Sequence, residues 1–460
     1  MRTPIFTAAL AVLGFALPVQ AASDTDLAQI RTQLKQMQET YEQRIAALEE
    51  RLLEAEKSAN RVESAAQRPA ASDTAPVATA TARSANAFNP AIYAVLQGAY
   101  SWQSQNPDHY VINGFVPSGD LFPGKRGFSL AESELGFSAT VFDKLYANLI
   151  LALAPDNEVE VEEAYAVFMG LAGGVTPKFG RFLSSVGYLN DQHQHSWDFY
   201  DAPLPYQAFF GGQFRSDGMQ LKWVAPSDTF IELGAEVGDG ASFPGNDRRN
   251  SNGIGSFALY AHLGGDVGVS HSWRAGASYL GLKPKDREYL QIDNSGLDSL
   301  LGFSGRSQLA IADFVWKYAP NGNPQETHFK LQGEYFWRKE SGDLTYDLDG
   351  ALALTSSGNY SSRQRGWYLQ GVYQFMPQWR VGLRYDQLNP GRVDYESNAI
   401  FLDSSGFAPK RYAAMIDYTM SEYGRFRLQF QQAKVRPEID DNQVFLQYIL
   451  TMGAHGAHKY

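Results

Sequence analysis

The chain has 460 residues, a formal net charge of −11 at pH 7 and no cysteine. This length suffices for one large domain or two ordinary ones, and the lack of cysteine excludes disulfide frameworks and thiolate metal sites. The acidic balance argues against nucleic acid as a partner. The 28 phenylalanines, 25 tyrosines and 42 glycines are typical of proteins with aromatic girdles and glycine-tolerant strands.

Residues 1–22 have the pattern of a secretory signal peptide. Arg2 precedes an apolar centre over residues 5–16, and small residues offer cleavage after Ala21 or Ala22. No later segment reaches the ~20 consecutive apolar residues of a membrane-spanning helix. The sequence therefore predicts an exported protein without a membrane helix, which leaves the periplasm, secretion or the outer membrane.

Residues 23–63 predict an α-helical coiled coil in the periplasm. Apolar side chains follow the a/d spacing from Leu27 to Val62, with one four-residue stutter. We interpret this segment as an oligomerisation stalk; the alternative is a single amphipathic helix that lies on the peptidoglycan or on the following domain. Residues 64–90 are rich in Ala, Ser, Thr and Pro, lack periodicity and predict a linker.

Residues 91–460 alternate between apolar and polar side chains, which indicates strands with two unlike faces. In the last segment, Val444, Leu446, Tyr448 and Leu450 share one parity and lead towards the terminal aromatic residue Tyr460. Sixteen such segments can be counted: 91–103, 127–142, 145–155, 158–170, 173–184, 216–225, 229–238, 252–264, 267–282, 304–319, 325–340, 361–375, 378–390, 408–420, 423–435 and 440–454.

The connections alternate between tight turns and long loops, which is the pattern of outer-membrane barrels. The long loops are predicted at 104–126, 185–215, 283–303, 341–360 and 391–407. Since a sheet in lipid cannot leave an open edge, the segments must close on one another. The sequence predicts an all-β fold: a 16-stranded antiparallel transmembrane β-barrel in the cell outer membrane, inserted by the barrel-assembly machinery. For the last segment alone, the edge strand of a soluble sandwich is the alternative.

A barrel of this size is wide enough for an aqueous channel, so charges on the inward parity are predicted to line it. Acidic side chains lie on the second, fourth and seventh strands, and basic ones on the thirteenth and fifteenth. They are Glu132, Glu134, Glu160, Glu162, Glu232, Glu236, Arg380, Arg384, Arg425 and Arg427. The two arcs should face each other and set up a transverse field. The acidic balance of the chain predicts a preference for cations, if the charges face the lumen. The alternative is that these charges pair with near neighbours.

The third outer loop, residues 185–215 between the fifth and sixth strands, is predicted to fold inward and narrow the channel, because it is rich in aromatic and turn residues. Asp191, Trp197, Asp198 and Asp201 are its candidate constriction residues. An ordinary surface loop is the alternative.

His193 and His195 stand two residues apart in the same loop and are flanked by carboxylates. Imidazoles at this spacing can converge on zinc or copper, although such pairs also occur in plain polar loops. No other cofactor is predicted. Nucleophile elbows, P-loops and HExxH motifs are absent from the sequence, so an enzyme is not expected.

The order of signal peptide, coiled coil, linker and sixteen strands resembles the phosphate-selective porin family. Several segments also resemble proteobacterial outer-membrane proteins often labelled zinc-regulated or TonB-dependent receptors. These segments are 89–92, 127–134, 161–165, 180–182, 190–201, 201–204 and 453–458. The resemblance implies an outer-membrane transport protein with a link to metal supply.

Together these patterns predict a passive channel for small hydrophilic or ionic solutes, metal ions among them. We expect a homotrimer in outer-membrane lipid. The alternative function is an envelope tether that the coiled coil anchors.

Overall fold

The computed structural model describes residues 90–117, 124–154, 158–246, 250–421 and 423–453. Within these ranges the chain forms a closed antiparallel β-barrel of sixteen strands. The predicted signal peptide and coiled coil, the predicted linker up to residue 89, and Tyr460 lie outside the described residues. In the described ranges, no helix has the length and apolar character that crossing a membrane would require.

The strands follow one another around the barrel in chain order. They are β1 Ala91–Gln103, β2 Gly127–Leu130 with Ser133–Phe142, β3 Leu145–Leu153, β4 Val159–Phe168, β5 Val175–Leu183, β6 Arg215–Val224, β7 Phe230–Gly238, β8 Ser256–Val267, β9 His271–Leu282 with Arg287–Ile292, β10 Asp298–Tyr318, β11 His328–Tyr346, β12 Ser356–Met376, β13 Trp379–Asp394, β14 Lys410–Ser421, β15 Gly424–Arg436 and β16 Ile439–Gly453. Both parts of β2 pair with β1, and both parts of β9 pair with β10, so each counts as one interrupted strand.

The described connections contain one α-helix and several short 3-10 turns. The helix, α1, spans Leu204–Phe210, and the turns are Pro107–His109, Ala172–Gly174, Gln194–Ser196, Pro320–Gly322 and Glu396–Ile400.

The barrel closes between its first and last strands. β1 pairs with β16 in a register that runs from Tyr93 opposite Gly453 to Gln103 opposite Gln443. Closure gives the backbone groups of both strands partners within the sheet, as a lipid environment demands. The prediction that the C-terminal segment is the closing strand is confirmed.

Side chains alternate across the wall as the sequence predicts. On β16, Leu446 is 50% and Met452 51% exposed, whereas Phe445 and Gln447 point inward and are buried. The same parity holds on β15, where Phe426, Leu428 and Phe430 face outward. A closed barrel with an apolar outer face and a polar interior is the solution that lipid imposes on strands. The protein is therefore an outer-membrane barrel.

Two predicted loops are largely strand. Most of 283–303 belongs to the second part of β9 and to β10, which begins at Asp298. Most of 341–360 belongs to β11, which continues to Tyr346, and to β12, which begins at Ser356. These predictions were wrong because the wall there rises beyond the expected membrane span. A strand that stands in water needs no apolar outer face, so its alternation fades.

Candidate functional site

Residues 184–214, which connect β5 to β6, lie inside the barrel. Every aromatic side chain of this inner loop is buried: Tyr188, Trp197, Phe199, Tyr200, Tyr206, Phe209, Phe210 and Phe214. Burial of large aromatic rings is a strong driving force for folding. The loop is therefore a packed part of the barrel's interior and not an ordinary surface loop.

The helix α1 fixes the second half of the inner loop. Prolines stand at its N-cap and in its first turn, and Gly211 ends it in the left-handed region at φ 69°, a conformation that glycine adopts without strain. The ring of Tyr206 meets that of Phe336 on β11 at a centroid distance of 5.2 Å, and Phe209 meets the same ring at 5.9 Å. The helix thus docks through aromatic contacts on the β11 wall.

The two histidines of the inner loop meet carboxylates on β2 and β4. Nδ1 of His195 lies 2.5 Å from Oε1 of Glu134. Nε2 of His193 lies 3.1 Å from Oε2 of Glu163, and its Nδ1 lies 3.2 Å from Oε2 of Glu162. The two imidazole rings stack at 5.7 Å. We call these five residues the acidic anchor.

A β-bulge on β4 shapes the acidic anchor. Ile150 pairs with Glu163, but the next residue, Leu151, pairs with Val161. Glu162 is therefore the extra residue, and both it and Glu163 turn inward and are buried. A bulge re-aims side chains in this way. Strict alternation could not predict it, and so the role of Glu163 was missed.

The environment of His193 favours its protonated form. Burial lowers the pKa of its imidazole, but the carboxylates of Glu162 and Glu134 outweigh burial and raise that pKa well above its usual value. The acidic anchor therefore binds positive charge strongly.

A few residues further on, the same loop meets cationic side chains. Asp198 pairs with Lys330, and also with Arg380 at 3.2 Å. Asp201 pairs with Arg384 at 2.8 Å and with Arg411. We call these six residues the basic anchor.

Two further arginines of this wall hold the loop's main chain. Arg427 donates to the carbonyl of Trp197 at 2.6 Å, and Arg425 donates to that of His195 at 2.5 Å. The loop therefore receives hydrogen bonds from the basic wall at several positions between His195 and Asp201.

The cations of the basic anchor dominate its titration. Burial raises the pKa of Asp198, but Lys330 and Arg380 overcome that effect and hold it well below its usual value. The pKa of Asp201 is lowered in the same way by Arg384 and Arg411. Both carboxylates are therefore ionised across the neutral range.

Two more carboxylates hold the backbone of the inner loop. Glu334 on β11 accepts from the amides of Tyr188 at 3.0 Å and Leu189 at 3.1 Å, and from the hydroxyl of Tyr206. Glu236 on β7 accepts from the amide of Ser185 at 2.9 Å. The role of Glu334 was missed, although its parity already predicted that it faces inward.

Most of the predicted pore-lining residues face inward but do not line an open channel here. The inner loop covers five of them, each at most 4% exposed: Glu134, Glu162, Glu236, Arg384 and Arg427. Arg380 and Arg425 are only partly covered. The alternative that these charges pair with neighbours describes them better, because the loop supplies many of the partners.

The remaining acidic candidates lie elsewhere. Glu160 is exposed and pairs with Arg215 at 3.2 Å. Its register across β3 puts it on the same inward face as Glu134. Glu232 contacts His262 at 3.0 Å and Lys222 at 3.2 Å, both on neighbouring strands. Glu132 sits in the interruption of β2 and is partly exposed.

Of the predicted constriction residues, three are buried within the loop's packing. Trp197 donates from its indole to the carbonyl of Gln192 at 2.8 Å, and Asp198 and Asp201 belong to the basic anchor. Asp191 is partly exposed.

A vestibule opens between the inner loop and the short-turn end of the barrel. One cavity of about 770 Å³ and another of about 550 Å³ share His328 and Arg380 in their linings. The first is also lined by Lys317 and Lys330, and the second by Arg425. Asp198 and Asp266 also line the first cavity, so four cationic side chains face two carboxylates and the mouth carries a net positive charge, in contrast to the net charge of the chain.

No family model matches the chain. An uncharacterized protein of Aquifex aeolicus (strain VF5) is 29% identical over 419 residues, which are 82% of this chain and 81% of that protein. The resemblances to phosphate-selective porins and to the zinc-regulated group stay predictions.

Several solved outer-membrane structures are similar to the barrel. A loop L8 deletion mutant of OmpT, an outer membrane protein of Vibrio cholerae, matches with a TM-score of 0.49 and 12% identity over 79% of this chain and 99% of that chain. The outer membrane channel DcaP of Acinetobacter baumannii matches with a TM-score of 0.47 and 13% identity over 79% of this chain and 97% of that chain. An anion-selective porin from Comamonas acidovorans matches with a TM-score of 0.46 and 10% identity over 79% of this chain and 99% of that chain.

Proposed function

We propose that the protein is a passive outer-membrane channel for small hydrophilic solutes, and that residues 184–214 are its constriction. The position of this loop inside the barrel, directly above an open vestibule, is the observation that carries the proposal. A solute that enters the vestibule must pass beside the loop or displace it. The loop therefore sets the size of what crosses.

The lining of the vestibule supports a preference for anions. Lys317, Lys330, Arg380 and Arg425 outnumber Asp198 and Asp266 around the mouth, while the carboxylates of the acidic anchor are buried behind the loop. Fixed charges at a narrow entrance raise the local concentration of counter-ions. The cation preference expected from the net charge therefore gives way to the opposite proposal.

Conductance in planar bilayers tests both parts. The purified full-length protein should insert with stepwise conductance, and a salt gradient should give a reversal potential of the anionic sign. Lys317→Glu together with Arg425→Glu should move that potential towards cations. Folded protein without conductance would contradict the channel, and a cationic reversal potential in the natural protein would contradict the anion preference.

The heptads of residues 23–63 support a homotrimer. Deleting this segment should lower the mass of the detergent-solubilised assembly in light scattering and leave single-channel conductance intact. Loss of envelope integrity in cells that carry the deletion, with no conductance from either protein, would favour the tether instead.

A further inference from the structure

The acidic anchor contains three buried polar atoms that face one another but make no hydrogen bond of good geometry with the described residues. They are Oε2 of Glu134, Oε2 of Glu162 and Nδ1 of His193. All three lie within 4.8 Å of one another. Two buried carboxylate oxygens that point at the same small space repel each other, and the protein leaves that repulsion only partly compensated.

We propose that these three atoms bind one divalent cation of the zinc class, which ties the inner loop to β2 and β4. One imidazole nitrogen and two carboxylate oxygens form a ligand set that zinc accepts, and water can complete a tetrahedral shell. Ca²⁺ and Mg²⁺ prefer all-oxygen sites with more ligands. The site therefore favours Zn²⁺ over both.

The surrounding contacts prepare His193 for this role. Its Nε2 lies 3.1 Å from Oε2 of Glu163, so that nitrogen can carry the proton and donate it in a hydrogen bond. A bound cation would replace the proton that Glu134 and Glu162 otherwise favour on Nδ1, and the Nδ1 lone pair would then point towards those two carboxylates. A carboxylate behind the distal nitrogen of a ligating histidine is the usual way in which proteins orient such a ligand.

His195 serves the same site indirectly. Its Nδ1 contacts Oε1 of Glu134 at 2.5 Å, which leaves Oε2 of that carboxylate for the cation. The sequence predicted both histidines as ligands. The structure assigns ligation to His193 and a positioning role to His195.

The proposed consequence for transport depends on the channel function. His193 belongs to the loop, whereas Glu134 and Glu162 belong to the wall. A cation bound by all three would cross-link the constriction to the barrel and resist its displacement. Binding itself does not depend on conduction, so the two ideas can fail separately.

Calorimetric titration of metal-free, full-length protein in detergent tests the site. Zn²⁺ should bind with one ion per chain in a His455→Ala/His458→Ala background, which removes the tail histidines as ligands. His193→Ala and Glu162→Gln should each weaken binding by about 100-fold or more, and His195→Ala by about 10-fold. Mg²⁺ and Ca²⁺ should bind far more weakly.

His262→Ala is the matched control, because His262 contacts Glu232 but belongs to no such three-residue group within the described part of the chain. It should leave zinc affinity unchanged. If His193→Ala fails to fold, as judged by heat-modifiable gel mobility, the isosteric Glu162→Gln decides. The proposal is wrong if the background protein binds no zinc, or if Glu162→Gln binds it as tightly as the background does. A protein that conducts but binds no zinc would lose this site and keep the channel.

Discussion

The two anchors of the inner loop are built from the same kinds of groups but in opposite balance. At the basic anchor, Asp198 and Asp201 each meet two cationic side chains. At the acidic anchor, three carboxylates from the wall face only two imidazoles. At one end of the docking each loop carboxylate has two cationic partners, and the other end lacks positive charge.

This difference gives the two anchors different roles in the docking of the loop. A buried network in which each loop carboxylate is balanced by cations needs no added ion, and removal of one partner leaves an uncompensated charge. A buried cluster with surplus carboxylates changes its stability whenever a cation enters or leaves. The basic anchor therefore fixes the loop, and the acidic anchor is the end at which its docking can be regulated.

The largest effect is expected from Asp201→Asn. This change leaves the buried Arg384 and Arg411 with Asp386 as the one carboxylate that they still share in the described part of the chain. One buried positive charge is then uncompensated, which should cost about 3–5 kcal/mol of docking free energy. Limited proteolysis of residues 184–214 should become much faster, and conductance should rise. Asp217→Asn, which breaks the exposed Asp217–Arg181 pair, is the control and should change little. Equal protease resistance in the two variants would refute the fixing role.

A smaller loss is expected from Glu334→Gln, because a neutral amide accepts more weakly from the amides of Tyr188 and Leu189. Impairing buried hydrogen bonds to a charged group usually costs roughly 1–3 kcal/mol. Hydrogen exchange at these two amides measures it. Tyr206→Phe removes only one donor and should leave those amides better protected than Glu334→Gln does.

At the acidic anchor, removal of carboxylate charge should stabilise the folded protein instead of destabilising it. In the presence of a chelator, Glu134→Gln/Glu162→Gln removes repulsion between buried carboxylates. The free energy of unfolding should stay the same or rise by roughly 1 kcal/mol, and the melting temperature measures it. Destabilisation as large as that of Asp201→Asn, measured in the same chelator buffer, would show that the two anchors do not differ.

The smallest effect is expected from lowering the pH, which should weaken the docking of the inner loop. Because the folded-state pKa values of Asp198 and Asp201 are depressed, the basic anchor's stabilisation is fully present above the ordinary aspartate pKa of ~4 and is lost as pH falls below it. Protease resistance of the loop should therefore hold from neutral pH to about pH 4 and decline below. Asp198→Asn should flatten that decline. Loss of resistance already at pH 6 would contradict this origin.

Much of the fold follows from parity alone, because lipid outside and polar groups inside give each strand two unlike faces. Arg425, Arg427 and the outward row on β16 were placed correctly for this reason. The extensions of β10 to β12 were not, since strands in water lose that contrast. The bulge that turns Glu163 inward also breaks the rule on which the prediction rests.

The site was predicted in pieces but not as a whole. His193, His195 and the acidic arc were each identified, yet no local pattern shows that a loop crosses the lumen to meet β2 and β4. Arg411 and Lys330 were missed as partners of Asp201 and Asp198 for the same reason. Contacts between residues distant in sequence depend on the path of the loop, which packing decides.

That path is recognised largely through the main chain. Glu163, Glu236 and Glu334 accept from amide groups of Leu183, Ser185, Tyr188 and Leu189, and every residue except proline offers such a group. These wall carboxylates thus fix the backbone of residues 183–189, and the contacts do not depend on which side chains those residues carry. Variants with altered composition at Ser185 or Leu189 could inherit the same trajectory, and new permeation properties could evolve without redesign of the cylinder.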